Sequence, residues 1–212
     1  MAITLNYGTC SPGDLLDMHK IEQKMKNVYI LHGCCDRAEF EDTSIPSGSN
    51  FHWIPWLQKQ LIVKGYNCQT PEMPTPYKPD YRIWKEIFKT FPLDADTILV
   101  AHSCGCGFIL RYLSENPQPI KKLVFVAPYM LDKQNWFGSF LDFKINPALF
   151  DPVTEVHVFY SEDEHVRGVR ETAALISDIH HAVQYHHFEN HGHFCIEDMG
   201  THAFPELLEV AA

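Results

Sequence analysis

A chain of 212 residues, 45% apolar and 21% charged, has the length and composition of one globular domain with a sizeable buried core. With 27 acidic against 17 basic residues the formal charge is −10, and no Lys/Arg cluster stands out, so nucleic acid is not an expected partner. The longest apolar run, near Leu123 to Leu131, is far too short for a membrane span, and no signal peptide is visible at the N-terminus.

Taken in chain order, residues 1–26 read as an N-terminal extension packed on a single domain spanning 27–212, with a short strand at Ile3 to Leu5 and a weak helical pattern from Leu15 to Met25. Asn27 to Gly33 is a strand ending in His32-Gly33. Cys34 to Asn50 follows as a polar loop of 17 residues, unusual in a compact domain unless functional or mobile. Phe51 to Lys64 is a helix with Pro55 in its first turn, and Gly65 closes it. Tyr66 to Thr70 is a short strand, and the proline-rich stretch Pro71 to Pro79 is extended loop. Asp80 can cap a helix whose stripe is Ile83, Trp84, Ile87, Phe88 and Phe91.

Thr97 to Val100 is a buried strand and Lys122 to Ala127 another; their continuous apolar runs suit a parallel sheet covered on both faces. Tyr129 to Pro152 is aromatic-rich and irregular. Val156 to Tyr160 and Val183 to Phe188 are further strands, with a helix over Arg167 to His180 between them and a last short helix opened by Pro205. Alternating strands and helices predict a three-layer α/β fold, its mainly parallel sheet of about six strands carrying helices on both faces, with no large cap domain.

The chemistry centres on Ala101-His102-Ser103-Cys104-Gly105, which joins a strand to a helix with almost no loop. Such a turn needs small residues two places either side of its apex, and it pushes the apical hydroxyl into the open: a nucleophile elbow with Ala101 in place of the first glycine. In an open α/β sheet, ligand sites collect at the carboxyl ends of the strands. Those ends carry His32-Gly33-Cys34, Ser103, Asp163 and His193, so serine, acid and histidine occur in the order of the α/β-hydrolase arrangement. A serine hydroxyl needs a base near pH 7, the imidazole needs a carboxylate on its other nitrogen, and the oxyanion needs preorganised donors. The candidates are Ser103 as nucleophile, His193 as base, Asp163 as acid with Glu162 its rival, and the backbone N–H groups of Cys34 and Cys104 as the oxyanion hole.

The seven cysteines, Cys10, Cys34, Cys35, Cys68, Cys104, Cys106 and Cys195, make an odd number without framework spacing and read as free thiols in a reducing compartment, hence a cytoplasmic protein. Cys104 and Cys106 diverge on a helix and read as packing. His186, His187, His191 and His193 invite a metal reading, but no Cys-x-x-Cys pair or HExxH helix accompanies them. No metal or organic cofactor is expected.

With those residues placed, the chain resembles small α/β-hydrolases of the retinoblastoma-binding serine hydrolase type, the family that includes the bacterial YdeN proteins. The resemblance spans about residues 27–211 and rests on Tyr29 to Gly33, Trp53 and Trp56, Glu72 to Pro76, AHSCG, SEDEHV and HGHF. It implies a compact hydrolase with Ser103, Asp163 and His193 as triad. Three features depart from the pattern: Ala101, the long loop 36–50, and the missing L-x-C-x-E motif, whose nearest counterpart, His193 to Glu197, lacks the leucine. Retinoblastoma binding is therefore not carried over. The expected activity is hydrolysis of a small ester, thioester or amide through an acyl-enzyme on Ser103. The alternatives are a catalytically silent hydrolase fold used for binding, and metal-dependent hydrolysis through the histidine-rich segment.

Overall fold

The structure, a computed structural model, describes residues 25–131 and 136–212. All of the expected N-terminal extension except Met25 and Lys26 therefore lies outside the described residues. Six strands form one sheet: β1 (Asn27–Leu31), β2 (Asn67–Gln69), β3 (Ile98–His102), β4 (Ile120–Val126), β5 (Val153–Ser161) and β6 (Gln184–Phe188). Their order is β2-β1-β3-β4-β5-β6, and every neighbouring pair is parallel. All five residues of β3 and the run Leu123 to Val126 of β4 are buried without alternation, because both of their faces are covered.

Among the described residues seven α-helices accompany the sheet: α1 (Arg37–Glu41), α2 (Ile54–Val63), α3 (Tyr81–Phe88), α4 (Cys104–Glu115), α5 (Val169–Ile179), α6 (Ile196–Met199) and α7 (Pro205–Ala211). The chain leaves β1 towards β2, then reverses, and each later crossover runs the other way. Right-handed crossovers thus put α2 on one face and α3, α4 and α5 on the other. The packing agrees. Trp53, at the start of α2, meets Phe204, at the start of α7, and Phe204 also meets Phe159 of β5. On the opposite face Trp84 and Phe88 of α3 pack edge-on against Phe108 of α4. This is the α/β-hydrolase fold, and the described residues form no large cap.

Two elements were not visible in the sequence. The polar loop after β1 contains α1, capped by Asp36, whose carboxylate accepts from the Glu39 N–H at 2.8 Å. Its five residues bury nothing, so no apolar period betrays it. The four-residue α6 is too short for a period of 3.6. The stripe expected on α3 is narrower than proposed: Tyr81, Trp84 and Phe88 are buried, while Ile83 is 49% exposed. Asp80 does cap that helix, accepting from the Arg82 N–H.

The elbow is the tightest part of the fold. Ser103 has φ +52 and ψ −125, a left-handed-side conformation that a side chain rarely adopts. Its N–H donates to the Val126 carbonyl, and its own carbonyl accepts from Tyr129 and Cys106. These bonds hold the strained residue from both sides. A Cβ at Gly105 would lie 2.5 Å from the His32 carbonyl oxygen, which is why the second small position is glycine. Ala101 at the first is fully buried and accommodated. Gly105→Ala is expected to cost about 1–3 kcal/mol of stability, as overpacking against backbone does. Urea denaturation measures this, and an unchanged midpoint would mean that the β1 loop gives way.

Candidate active site

The described elbow places the Ser103 hydroxyl 2.9 Å from His193 Nε2. His193 lies on the loop after β6, ninety residues further along the chain. Its other nitrogen, Nδ1, faces a carboxylate at 3.0 and 3.1 Å, and that carboxylate belongs to Glu164. The sequence expectation of Asp163 is corrected here. β5 ends at Ser161, and the Glu164 N–H bonds back to the Ser161 carbonyl, so the chain turns and swings residue 164 over the end of the sheet. The Glu164 side chain is fully covered and also accepts from the Val166 N–H at 2.7 Å.

Asp163 points the other way. Its Oδ1 accepts from the Ser161 hydroxyl and from the Gly192 N–H at 2.8 Å, and those two bonds, the hydroxyl first, hold its carboxyl below the usual range. It ties the turn after β5 to the loop that carries His193. Glu162, the rival acid, is exposed and sits beside His187 at 3.4 Å. The signal available in the sequence was the run of three acids just past a strand; which of them turns inward depends on the turn.

Cys34 and Cys104 are brought together, but not as free thiols. They form a disulfide with 5.9 Å between Cα atoms across a separation of 70 residues. The expectation of unpaired cysteines fails at these two because the elbow sets the first turn of α4 against the loop after β1, a proximity that spacing along the chain cannot reveal. Cys35, Cys68, Cys106 and Cys195 remain free. Cys106 is packing, as expected: fully buried, with its thiol directed at the Ala101 carbonyl. Cys104 is the first residue of α4, where a backbone N–H has no partner within the helix and the helix dipole is positive.

His32 braces this corner. Its Nδ1 donates to the Gly33 carbonyl at 2.6 Å and its Nε2 accepts from the Met73 N–H at 2.8 Å, which defines one neutral tautomer. Burial drives its pKa down. Ser49, in the long loop, donates its N–H to Glu72 at 3.0 Å, so that loop is fastened to the proline-rich one.

Two cavities meet at Ser103 and His193. The larger, about 680 Å³, runs under the 36–50 loop. The smaller, about 540 Å³, is walled by Tyr77, Tyr129, Trp136 and Phe137. Within the larger, His52, Cys195 and Glu197 bring donor atoms within 4.8 Å of one another. They are ill suited to a metal. His52 Nδ1 is taken up by the Ile196 N–H, leaving the proton on Nε2, and burial raises the Cys195 thiol to about 12, against the thiolate that a metal would need. Nor does the histidine-rich segment form one site: His186 faces His157, His187 faces Glu162 and His193 faces Ser103.

An α/β-hydrolase fold with a strained serine at the elbow and a histidine against it defines a class, the serine hydrolases. The comparisons with known proteins agree. The serine hydrolase family matches residues 46–211, and the chain belongs to it. YdeN of Bacillus subtilis (strain 168) is 30% identical over 198 residues, covering 87% of this chain and 94% of YdeN. The crystal structure of the B. subtilis ydeN gene product superposes with a TM-score of 0.74 at 26% identity, covering 88% of this chain and 96% of that one. Est1E from Butyrivibrio proteoclasticus, solved with ferulic acid bound, shares the fold at 14% identity and a TM-score of 0.61, over 89% and 87% of the two chains. Among the described residues no helix is long and apolar enough to cross a membrane.

The Cys34–Cys104 bridge closes a long loop, so removing it with the Cys34→Ala, Cys104→Ala double variant should cost about 2–4 kcal/mol. Reductant should lower the wild-type urea midpoint by a similar amount and leave the variant unmoved. An equal response of the two proteins to reductant would mean the bridge is absent in solution.

Proposed function

We propose that this serine hydrolase cleaves a small carboxylic ester, thioester or amide through an acyl-enzyme on Ser103, with His193 as general base and Glu164 as the orienting acid. The observation that carries this is the chain of contacts from the Ser103 hydroxyl through both nitrogens of His193 to the covered carboxylate of Glu164. His193 takes the hydroxyl proton as Oγ attacks the carbonyl carbon, and the carbonyl π electrons move onto oxygen. The backbone N–H groups of Cys34 and Cys104 receive that oxyanion; the short Cα separation across their disulfide supports the pairing. Collapse breaks the bond to the leaving group, which departs with the proton from His193. Water then repeats the sequence on the acyl-serine.

Glu164 gives the nascent imidazolium a counter-charge and fixes its tautomer, while Asp163 acts on the loop rather than on the ring. No metal is required, since every acid, base and donor belongs to the chain. The four free cysteines among the described residues support the reducing, cytoplasmic setting inferred from the composition, with Cys34–Cys104 as an internal bridge closed by proximity.

The substrate has a group on either side of the scissile bond, because both cavities open onto Ser103. The smaller one, with its aromatic walls, suits a flat or bulky apolar group. The larger is lined by Asp36, Glu39, Asp42, Glu72 and Glu197 and, among the described residues, by no lysine or arginine. Burial, and then the charges of Asp36 and Glu197, raise the Glu39 carboxyl above its usual value, which marks the crowding of like charge there. An anionic group would be repelled.

Ser103 should take up one fluorophosphonate group, and Ser103→Ala should lose both labelling and turnover; labelling that persists would remove Ser103 from the role. Glu164→Gln should lower kcat by about a thousandfold or more, and Asp163→Asn by far less. Steady-state kinetics on one ester compares them, and the reverse ranking would return the role to Asp163. Among esters of matched size, one carrying a carboxylate should show a kcat/KM at least about tenfold below its neutral counterpart at low salt, with the gap narrowing as salt rises. Equal rates would mean that the cavity charge does not reach the bound substrate.

A further inference from the structure

Ser103 is preceded by a histidine that the reaction just described does not use. His102 is 4% exposed and closes strand β3. Its Nε2 lies 2.8 Å from the backbone carbonyl of His193, and since a carbonyl can only accept, His102 is the donor. The two rings lie side by side, centroids 5.1 Å apart. On the other side of the same residue, the His193 N–H donates to Asp198 Oδ2 at 2.8 Å. Both polar groups of the His193 main chain are thus taken up by side chains, one from the strand below and one from α6 beside it.

We propose that His102 and Asp198 are positioning residues that hold the main chain of the general base at a set distance from the nucleophile; this rests on the roles proposed above for Ser103 and His193. The loop needs such a hold. His193 lies between two left-handed residues, Gly192 at φ +47 and Phe194 at φ +59, and the second is not glycine. Strain of that kind persists only where the surroundings over-determine it. Asp198 is packed so closely that a Cβ on Gly192 would meet its carboxylate at 2.4 Å. His102 adds something Asp198 does not, because it is bonded directly to Ser103. The Ser103 backbone is itself pinned to Val126 and Tyr129. One side-chain hydrogen bond therefore references the base to the same rigid turn that carries the nucleophile. The 2.9 Å contact between them becomes a property of the folded protein rather than of the bound substrate.

Histidine is well chosen for the place. Burial, followed by the neighbouring His193 and His52, drives the His102 pKa well down, so the ring is a neutral donor. When His193 becomes an imidazolium, no second positive charge stands against it. A lysine or arginine in the same position could donate the same bond but would oppose the charge that the reaction creates.

The test compares His102→Gln, which keeps an N–H donor at the end of its side chain, with His102→Met, which keeps bulk without a donor, and with the partly exposed Asp198→Ala. For each, kcat and KM on a neutral ester, the rate of fluorophosphonate labelling and the melting temperature are measured. A displaced base costs turnover rather than binding, because a shift of about 1 Å in a reacting group is enough for about a hundredfold. His102→Met and Asp198→Ala are expected to lose about 10- to 100-fold in kcat and in labelling rate with KM within about threefold, and His102→Gln to recover most of that loss. Should His102→Met fail to fold, Asp198→Ala against its conservative partner Asp198→Asn carries the comparison. Wild-type kcat in both donor-free and acceptor-free variants, a loss confined to KM, or equal kcat for the Gln and Met variants would overturn the proposal. Failure of wild-type Ser103 to label would instead overturn the reading on which it rests.

Discussion

The site depends on a near-collision of two backbones. The turn from β3 into α4 runs so close to the end of β1 that the position of Gly105 leaves no room for a Cβ beside the His32 carbonyl, and a Cβ on Gly33 would press on Ser103 at 2.9 Å. That approach forces Ser103 to positive φ and lifts its hydroxyl out of the sheet. It also sets the Cys34 and Cys104 backbones side by side, where a disulfide joins them. The raised Ser103 hydroxyl and the paired Cys34 and Cys104 backbones are thus consequences of one packing constraint between parallel neighbours β1 and β3.

Around that fixed point the remaining chemistry is delivered by turns at the ends of strands. β5 supplies Glu164 through a tight turn and β6 supplies His193 through a strained loop, and the two meet because β5 and β6 are adjacent in the sheet. Asp163 serves the same meeting from outside: it joins the Ser161 hydroxyl to the Gly192 N–H and so fastens one turn to the other. Two adjacent carboxylates therefore do different work. One is covered and faces an imidazole; the other is at the surface and binds main-chain and hydroxyl protons. Their environments separate them, as is general for paired acids at a site.

The thirteen histidines divide in the same way. A cluster in the sequence suggested shared ligation, yet β-strand alternation sends His186 and His187 to opposite sides, where they find His157 and Glu162. His32, His52 and His102, far apart in the chain, converge on the site, and all three are held as neutral rings by burial. The cavity they border carries its negative charge on Asp36, Glu39 and Asp42 in and around α1, on Glu72 and on Glu197 of α6, which no single stretch of sequence displays.

What the sequence determined by itself is what short-range pattern encodes. Continuous apolar runs at β3 and β4, the small residues about Ser103, and the order of serine, acid and histidine past successive strands were enough for the fold and for singling out Ser103 and His193, which the fold brings into contact. Helix α1 was hidden because it buries nothing, and α6 because one turn has no period. The tertiary structure alone decided which of three consecutive acids faces His193, because a single backbone hydrogen bond from Glu164 to Ser161 sets the direction of the turn. It alone paired Cys34 with Cys104, since a separation of 70 residues is closed only by two strands lying side by side. Local sequence fixes which conformations a segment can adopt; the distance between segments belongs to the packing of the sheet.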